Sequence, residues 1–190
     1  WHFAETSGTF YDSTGNNNHG DDNVSDSGKT GKIGSGQQWD GINDYSDVGN
    51  GASLNNLGTM TLEVWAKDDG SSTQPPFIDK GHTDGWAFCG EDNQEASCFF
   101  VGFSGSYGRW RWSSPSGPDT SYTHMVLTYN SGSDANNPTL YKNAVDQVAN
   151  VTETTSPSGT VDDDSSEGVR IGNKNDVTDR PWDGYLDEVR

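Results

Sequence analysis

Between Thr59 and Lys67 apolar and polar side chains alternate without a break: Met60, Leu62, Val64 and Ala66 fall on one side, Thr61, Glu63, Trp65 and Lys67 on the other. A repeat of two is that of an extended strand with one buried face, and a helix cannot accommodate it. No window shows a sustained 3.6-residue apolar repeat. Short runs of strand character recur instead at Gln38–Trp39, Asp44–Val48, Pro76–Asp79, Trp86–Cys89, Cys98–Phe103, Arg109–Ser113, Tyr122–Tyr129, Thr139–Lys142, Val145–Ala149, Val169–Gly172 and Tyr185–Arg190, between clusters of Gly, Pro, Asn and Asp. More than ten such strands predict an all-β fold, an antiparallel two-sheet jelly-roll sandwich. The polar stretches 12–36, 68–75, 113–121, 130–137, 152–168 and 173–180 read as loops decorating one sandwich, and no internal repeat is visible.

Composition decides whether such a chain has a core. Leu, Ile, Val and Phe make up only about 15% of the 190 residues, which with a net charge of -18 falls in the range typical of disordered chains. Seven Trp, seven Tyr and seven Phe overrule that reading, because each buried ring brings on the order of 150–250 Å² of surface. The core is therefore expected to be aromatic. The same charge repels a phosphate backbone, and no cluster of Lys and Arg offsets it, so nucleic acid is excluded as a partner. No apolar run approaches 18 residues, which argues against direct membrane insertion by a helix.

Cys89 and Cys98 flank a polar loop, a spacing that allows either a hairpin-closing disulfide or two buried thiols; the bridge would suit an oxidising compartment. Asn23-Val24-Ser25 and Asn150-Val151-Thr152 are glycosylation acceptors in form, with Asn23 and Asn150 as candidate sites, whereas Asn137-Pro138-Thr139 is excluded by its proline. These features favour an extracellular or cell-surface protein. His2, His19, His82 and His124 form no His-x-x-x-His pattern and there is no Gly-x-Ser-x-Gly elbow, so His124 reads as a structural strand residue.

Ordered pieces along the whole chain resemble one family. They run from Trp1-His2-Phe3-Ala4-Glu5 and Tyr11-Asp12-Ser13-Thr14-Gly15-Asn16 through Gln38-Trp39-Asp40-Gly41 and Thr61-Leu62-Glu63-Val64-Trp65. They continue with Tyr122-Thr123-His124-Met125-Val126, Leu140-Tyr141-Lys142-Asn143 and the closing Asp183-Gly184-Tyr185-Leu186-Asp187-Glu188-Val189-Arg190. In order and spacing they resemble the laminin-G-like jelly-roll domains of the concanavalin A-like lectin and glucanase superfamily. Residues 1–190 then read as a single laminin-G-like domain. The chain starts and stops where the family's terminal strands are under way, which suggests an excerpt of a longer surface protein, or a subunit completed by a neighbour. At the hairpin where the family carries Asn-Gly this sequence has Asn143-Ala144, and the steric cost of Ala at positive φ points to a different turn.

The resemblance implies a calcium site joining the N-terminal loop, the Asp-Gly turn and the last strand, which nominates Asp40, Gly41 and Asp187, with Glu5, Asp12 and Asn16 as additions. The alternative is that these carboxylates simply cap turns. The loop Asp162–Gly168 is acidic but lacks EF-hand spacing and reads as solvated.

Glycosidases need a carboxylate pair about 5–5.5 or about 6.5–9.5 Å apart. The segment Glu91-Asp92-Asn93-Gln94-Glu95 lacks the family's catalytic spacing, and Glu63 stands alone on its strand face. In Arg109-Trp110-Arg111-Trp112 the two indoles share a face, so either they are core or they form a sugar platform beside Trp65; with aliphatics scarce, core is favoured. The expectation is a non-catalytic recognition or adhesion module for a glycan or a surface protein, with a structural calcium. The alternatives are a filament subunit that pairs edge strands with copies of itself, and an atypical glycoside hydrolase.

Overall fold

The computed structural model describes the chain except residues 71–73, 92–95 and 176–179 and the side chain of Asp26. In chain order the strands are β1 (Asp21–Asn23), β2 (Asp26–Thr30), β3 (Ser35–Asp40), β4 (Tyr45–Gly49), β5 (Thr59–Asp68), β6 (Pro76–Lys80), β7 (Trp86–Gly90) and β8 (Ser97–Val101). Then come β9 (Gly108–Trp112), β10 (Thr123–Asn130), β11 (Thr139–Lys142), β12 (Val145–Asp146), β13 (Val151–Thr155), β14 (Val169–Ile171) and β15 (Asp183–Asp187). They form two antiparallel sheets, one of eight strands in the order β1-β4-β14-β6-β7-β8-β9-β13 and one of seven in the order β12-β11-β10-β5-β15-β3-β2.

The strand expected from alternation is β5, and its Met60, Leu62, Val64 and Ala66 are buried. Facing residues Met125, Leu127 and Tyr129 of β10 continue that inner surface, since Val64 pairs with Met125 and Leu62 with Leu127. Across the sandwich the inner face is aromatic, as the composition requires. Phe88 and Phe99 pair across β7 and β8, Phe99 pairs with Trp110 on β9, and Phe77 meets Trp182 edge-on at 5.0 Å. Phe3 packs edge-on against both Phe10 and Trp39 and closes one end.

Three strands lie inside stretches that the sequence assigns to loops: β1 and β2 within 12–36, and β13 at 151–155. All are edge strands of almost wholly polar sequence, exposed enough that no apolar alternation marks them. The hairpin between β11 and β12 also departs from expectation. Asn143 and Ala144 both take positive φ, 50° and 64°, so the family's turn geometry is kept although Ala has replaced Gly.

Cys89 and Cys98 are directly opposed on β7 and β8 and form a disulfide, with Cα atoms 5.0 Å apart. Their side chains lie on the outer face of the eight-stranded sheet with Ala87 and Phe100.

Candidate functional site

Because side chains alternate across a strand, β9 puts Trp110 and Trp112 into the core, each 1% exposed, and sends Arg109 and Arg111 outward. The indole Nε1 of Trp110 donates to Asn137 Oδ1 at 2.8 Å. This corrects the sugar-platform reading of Trp110 and Trp112: their faces are packed against Phe99 and Tyr129 and no ring is free to stack on a sugar. Trp65 is not beside them. It lies on the outer face of the seven-stranded sheet, stacked on His124 at 4.7 Å with the Lys32 ammonium 4.5 Å from its ring. Nor does Glu63 stand alone, since its Oε1 meets His124 Nε2 at 2.8 Å and its Oε2 lies near Arg190.

The outer face of the eight-stranded sheet is where side chains of functional type gather. Glu91, just past β7, is buried and meets two cations at once: Oε1 accepts from Arg109 Nη2 at 2.7 Å, and Oε2 lies 3.0 Å from Arg111 Nη2. Gln74 Nε2 also donates to Oε2, at 3.2 Å. The Arg109 guanidinium sits 5.0 Å over the Phe100 ring, which in turn is flanked by His82 and Tyr107. Next to this network the face opens into a groove of about 230 Å³ between β9 and β13, lined by Arg111, Ser113, Thr152 and Thr154. Further along, Arg170 lies 4.3 Å over the Tyr45 ring, and buried Asp79 accepts from the backbone N–H of His82.

Outward positions on the central strands β7 and β8 are Ala87, Cys89, Cys98 and Phe100, so the paired carboxylates on alternate strand positions that glycoside hydrolysis requires are not supplied there. Glu91 and Asp79 are each engaged by several donors. Of the acidic segment weighed in the sequence, residues 92–95 lie outside the described residues.

The residues assigned to calcium are scattered. Asp183 pairs with Asp40, so Asp187 is four residues further along the same ladder, about 13 Å away at about 3.3 Å per residue. One ion cannot take both, which corrects the six-residue site that the resemblance implies. Asp187 is fully buried beneath the β2–β3 turn; its Oδ2 accepts from Ile33 N–H and its Oδ1 from Glu188 N–H, both at 2.9 Å. Burial raises its carboxyl above the ordinary value despite these bonds. Asp40 Oδ1 accepts from Ile42 N–H at 2.8 Å, and Gly41 takes φ 70° in the same turn. Asp12 takes the N–H groups of Thr14 and Asn18; burial pushes its carboxyl up, but these bonds more than offset that and hold it below its usual range. Glu5 Oε1 accepts from Tyr11 N–H, and Asn16 sits exposed in the 12–18 turn. These are turn-capping roles, and the set does not fit a single cation. Among the described residues no three His, Cys, Asp or Glu side chains are grouped to hold a metal.

Near Asp40 the opposite problem arises. Asp183 is wedged so closely between two loop glycines that a Cβ on Gly70 would fall 1.5 Å from its Oδ2 and one on Gly41 2.8 Å from its Cβ. Burial, then the Asp69 and Asp40 carboxylates, raise Asp183 above its ordinary value. Burial, reinforced by Asp183 and Asp69, pushes Asp68 up to about 6 although Gly70 N–H donates to it.

For the acceptor asparagines, Asn23 is exposed at the end of β1, whereas Asn150 is half-buried and its Nδ2 donates to Ser116 Oγ at 3.0 Å. A glycan on Asn150 would take one of the two Nδ2 hydrogens, which donate to Ser116 Oγ and Gln147 Oε1. The sequence signal for the groove was the Arg-x-Arg alternation in Arg109–Trp112. Glu91, Thr152 and Thr154 carried none, because only the pairing of β9 with β8 and β13 brings them to it.

Two antiparallel sheets with this strand order, and a groove lined by Arg, Ser and Thr residues on one outer face, define a lectin-like jelly-roll sandwich. Residues 40–190 match Laminin_G_3, of the concanavalin A-like lectin/glucanases superfamily, and the chain belongs to that family. No curated relative matches the sequence. Among solved structures, domain 4 of AbnA, a GH43 extracellular arabinanase from Geobacillus stearothermophilus in complex with arabinotriose, is similar with a TM-score of 0.52 and 19% identity, over 86% of this chain and 73% of that one. A putative carbohydrate binding protein from Bacteroides ovatus gives 0.56 and 16%, over 80% of this chain and 42% of its own. The Ruminococcus gnavus IT-sialidase CBM40 bound to α2,3-sialyllactose gives 0.52 and 11%, over 80% and 88%. These likenesses establish the fold. No helix of the described residues is long and apolar enough to cross a membrane.

Proposed function

We propose that this chain is a non-catalytic carbohydrate-binding module of an extracellular protein, and that it holds glycan on the outer face of the eight-stranded sheet, in the groove between β9 and β13. The observation that carries the reading is the groove itself, where a fixed guanidinium from Arg111 stands beside the hydroxyls of Ser113, Thr152 and Thr154. Sugars are recognised by a few convergent hydrogen-bonding groups on a rigid concave surface, and strands provide that rigidity. The sugars bound by two structural neighbours, arabinotriose and α2,3-sialyllactose, support the class of ligand. The bridge between Cys89 and Cys98 supports an oxidising compartment. We assign no calcium to this activity.

The test is calorimetric titration with a panel that includes both sugars. At least one glycan is expected to bind, and Arg111→Ala or Thr152→Val is expected to weaken it tenfold or more at a temperature where each variant is fully folded. Trp65→Ala, on the opposite sheet, should leave it unchanged. Absence of any binding, or binding indifferent to the groove variants, removes the reading; release of reducing ends from the bound glycan removes its non-catalytic part.

A further inference from the structure

We infer that the groove selects a glycan that carries a carboxylate, a uronic or sialic acid residue; the inference rests on the glycan reading above. The chain has 29 acidic and 11 basic side chains, so its average surface repels anions. The groove departs from that average. Arg109 and Arg111, on alternate outward positions of β9, share one buried carboxylate, Glu91. Among the described residues two cations face one anion, which leaves one positive charge uncompensated there. No acid from the neighbouring strand cancels it, because Glu153 pairs with Trp110 and so points to the other side of the sheet from Thr152 and Thr154.

The geometry also says where that charge is presented. Glu91 is 1% exposed and is consumed as an internal strut, whereas the Arg111 side chain is 43% exposed and lines the groove. Arg109 Nε is buried and makes no hydrogen bond among the described residues, while its guanidinium is fixed over Phe100. Both forks are thus ordered before any ligand arrives, which lowers the entropic cost of binding. A planar fork with several donors matches a carboxylate, with which it forms parallel charge-assisted hydrogen bonds, better than it matches a neutral hydroxyl. The hydroxyls of Ser113, Thr152 and Thr154 are left for the ring hydroxyls of the same sugar.

The experiment compares each acid with its own methyl ester, so that only the charge changes. α2,3-Sialyllactose and a glucuronic-acid-terminated oligosaccharide, with their esters and with neutral arabinotriose, are titrated into the folded protein at about 0.15 M salt. At least one acid is expected to bind tenfold or more tightly than its ester, which corresponds to about 1.4 kcal/mol, and which acid does so identifies the sugar. Arg111→Gln should abolish the discrimination and Arg111→Lys should keep part of it, each compared at a temperature where the variant is fully folded, since either change loosens the buried Glu91. Equal affinity for acid and ester, or preference for arabinotriose, overturns the inference and leaves the glycan reading standing. So does discrimination that survives in Arg111→Gln. If no sugar in the panel binds at all, both fall.

Discussion

Replacing Asp68 by Asn should stabilise the protein at neutral pH, and the structure sets the size and the pH window. Asp68 ends β5 in a buried position beside Asp183 and Asp69, and its carboxyl is held up at about 6 against an ordinary 3.8. A carboxyl whose folded value is raised binds more protons in the native state than in the unfolded chain between those two limits, so stability falls as pH rises through that window. Above about 6 the penalty is fully present, and below about 3.8 it is gone. Two units at 1.36 kcal/mol each give an upper figure of about 3 kcal/mol, and solvent screening lowers it to about 1–3 kcal/mol. Asn is isosteric with the protonated acid and its Oδ1 still accepts from Gly70 N–H. Urea unfolding with chelator present, at pH 4, 5.5 and 7.5, should show the variant gaining at pH 7.5, gaining less at 5.5, and matching the parent near pH 4. A loss of stability at pH 7.5, or a gain equal at all three values, would refute the reasoning. If added calcium stabilises the parent and Asp68→Asn removes that effect, the carboxylates are a cation site and the sign argument no longer describes them.

Ala144→Gly should add about 1 kcal/mol, since Ala144 is held at φ 64° in an exposed turn; an unchanged midpoint would show that the turn carries no strain. Trp112→Ala should cost roughly 3–5 kcal/mol as a large-to-small core change, and a stable variant that loses sugar binding would restore the platform reading. Lys80→Met should cost about 3–5 kcal/mol. The Lys80 ammonium is buried among the Asn55 side-chain oxygen at 3.0 Å, the Glu167 carbonyl at 2.6 Å and Asp164. Its loss removes that donor from the Asn55 and Glu167 oxygens and the cation from beside buried Asp164, and equilibrium unfolding would expose a neutral substitution.

The fold was legible where burial writes a period into the sequence. β5 and β10 have one core face each, and their alternation reads directly as strands. The edge strands β1, β2 and β13 bury too little to need apolar residues, so their polar sequences read as loop. The candidate site was only half legible for a related reason. Alternation placed Arg109 and Arg111 opposite the indoles, but the choice between core and platform depended on which face the second sheet covers. Asp187 shows the limit most clearly: a carboxylate that binds backbone amides and one that binds a cation are the same letter in the same strand. Only the turn folded over it, with Ile33 N–H at 2.9 Å, separates the two.

The position of β15 has a consequence for how the molecule is made. It lies between β5 and β3, yet in sequence it follows both, with nine further strands after β5. On a ribosome, β2 and β3 emerge first and β5, β10 and β11 later, and the two groups are joined by strand pairing only when residues 183–187 leave the exit tunnel. Until then the seven-stranded sheet exists as two open half-sheets with four unpaired edges, and the turn at 31–34 has no carboxylate to hold it. Such a chain depends on late, long-range pairing, the slow class of topology, and its exposed half-sheets are the species a chaperone would meet. Its scarcity of aliphatic residues and its high charge then serve synthesis as well as solubility, because half-sheets with polar outer faces and like charges are slow to stick to one another.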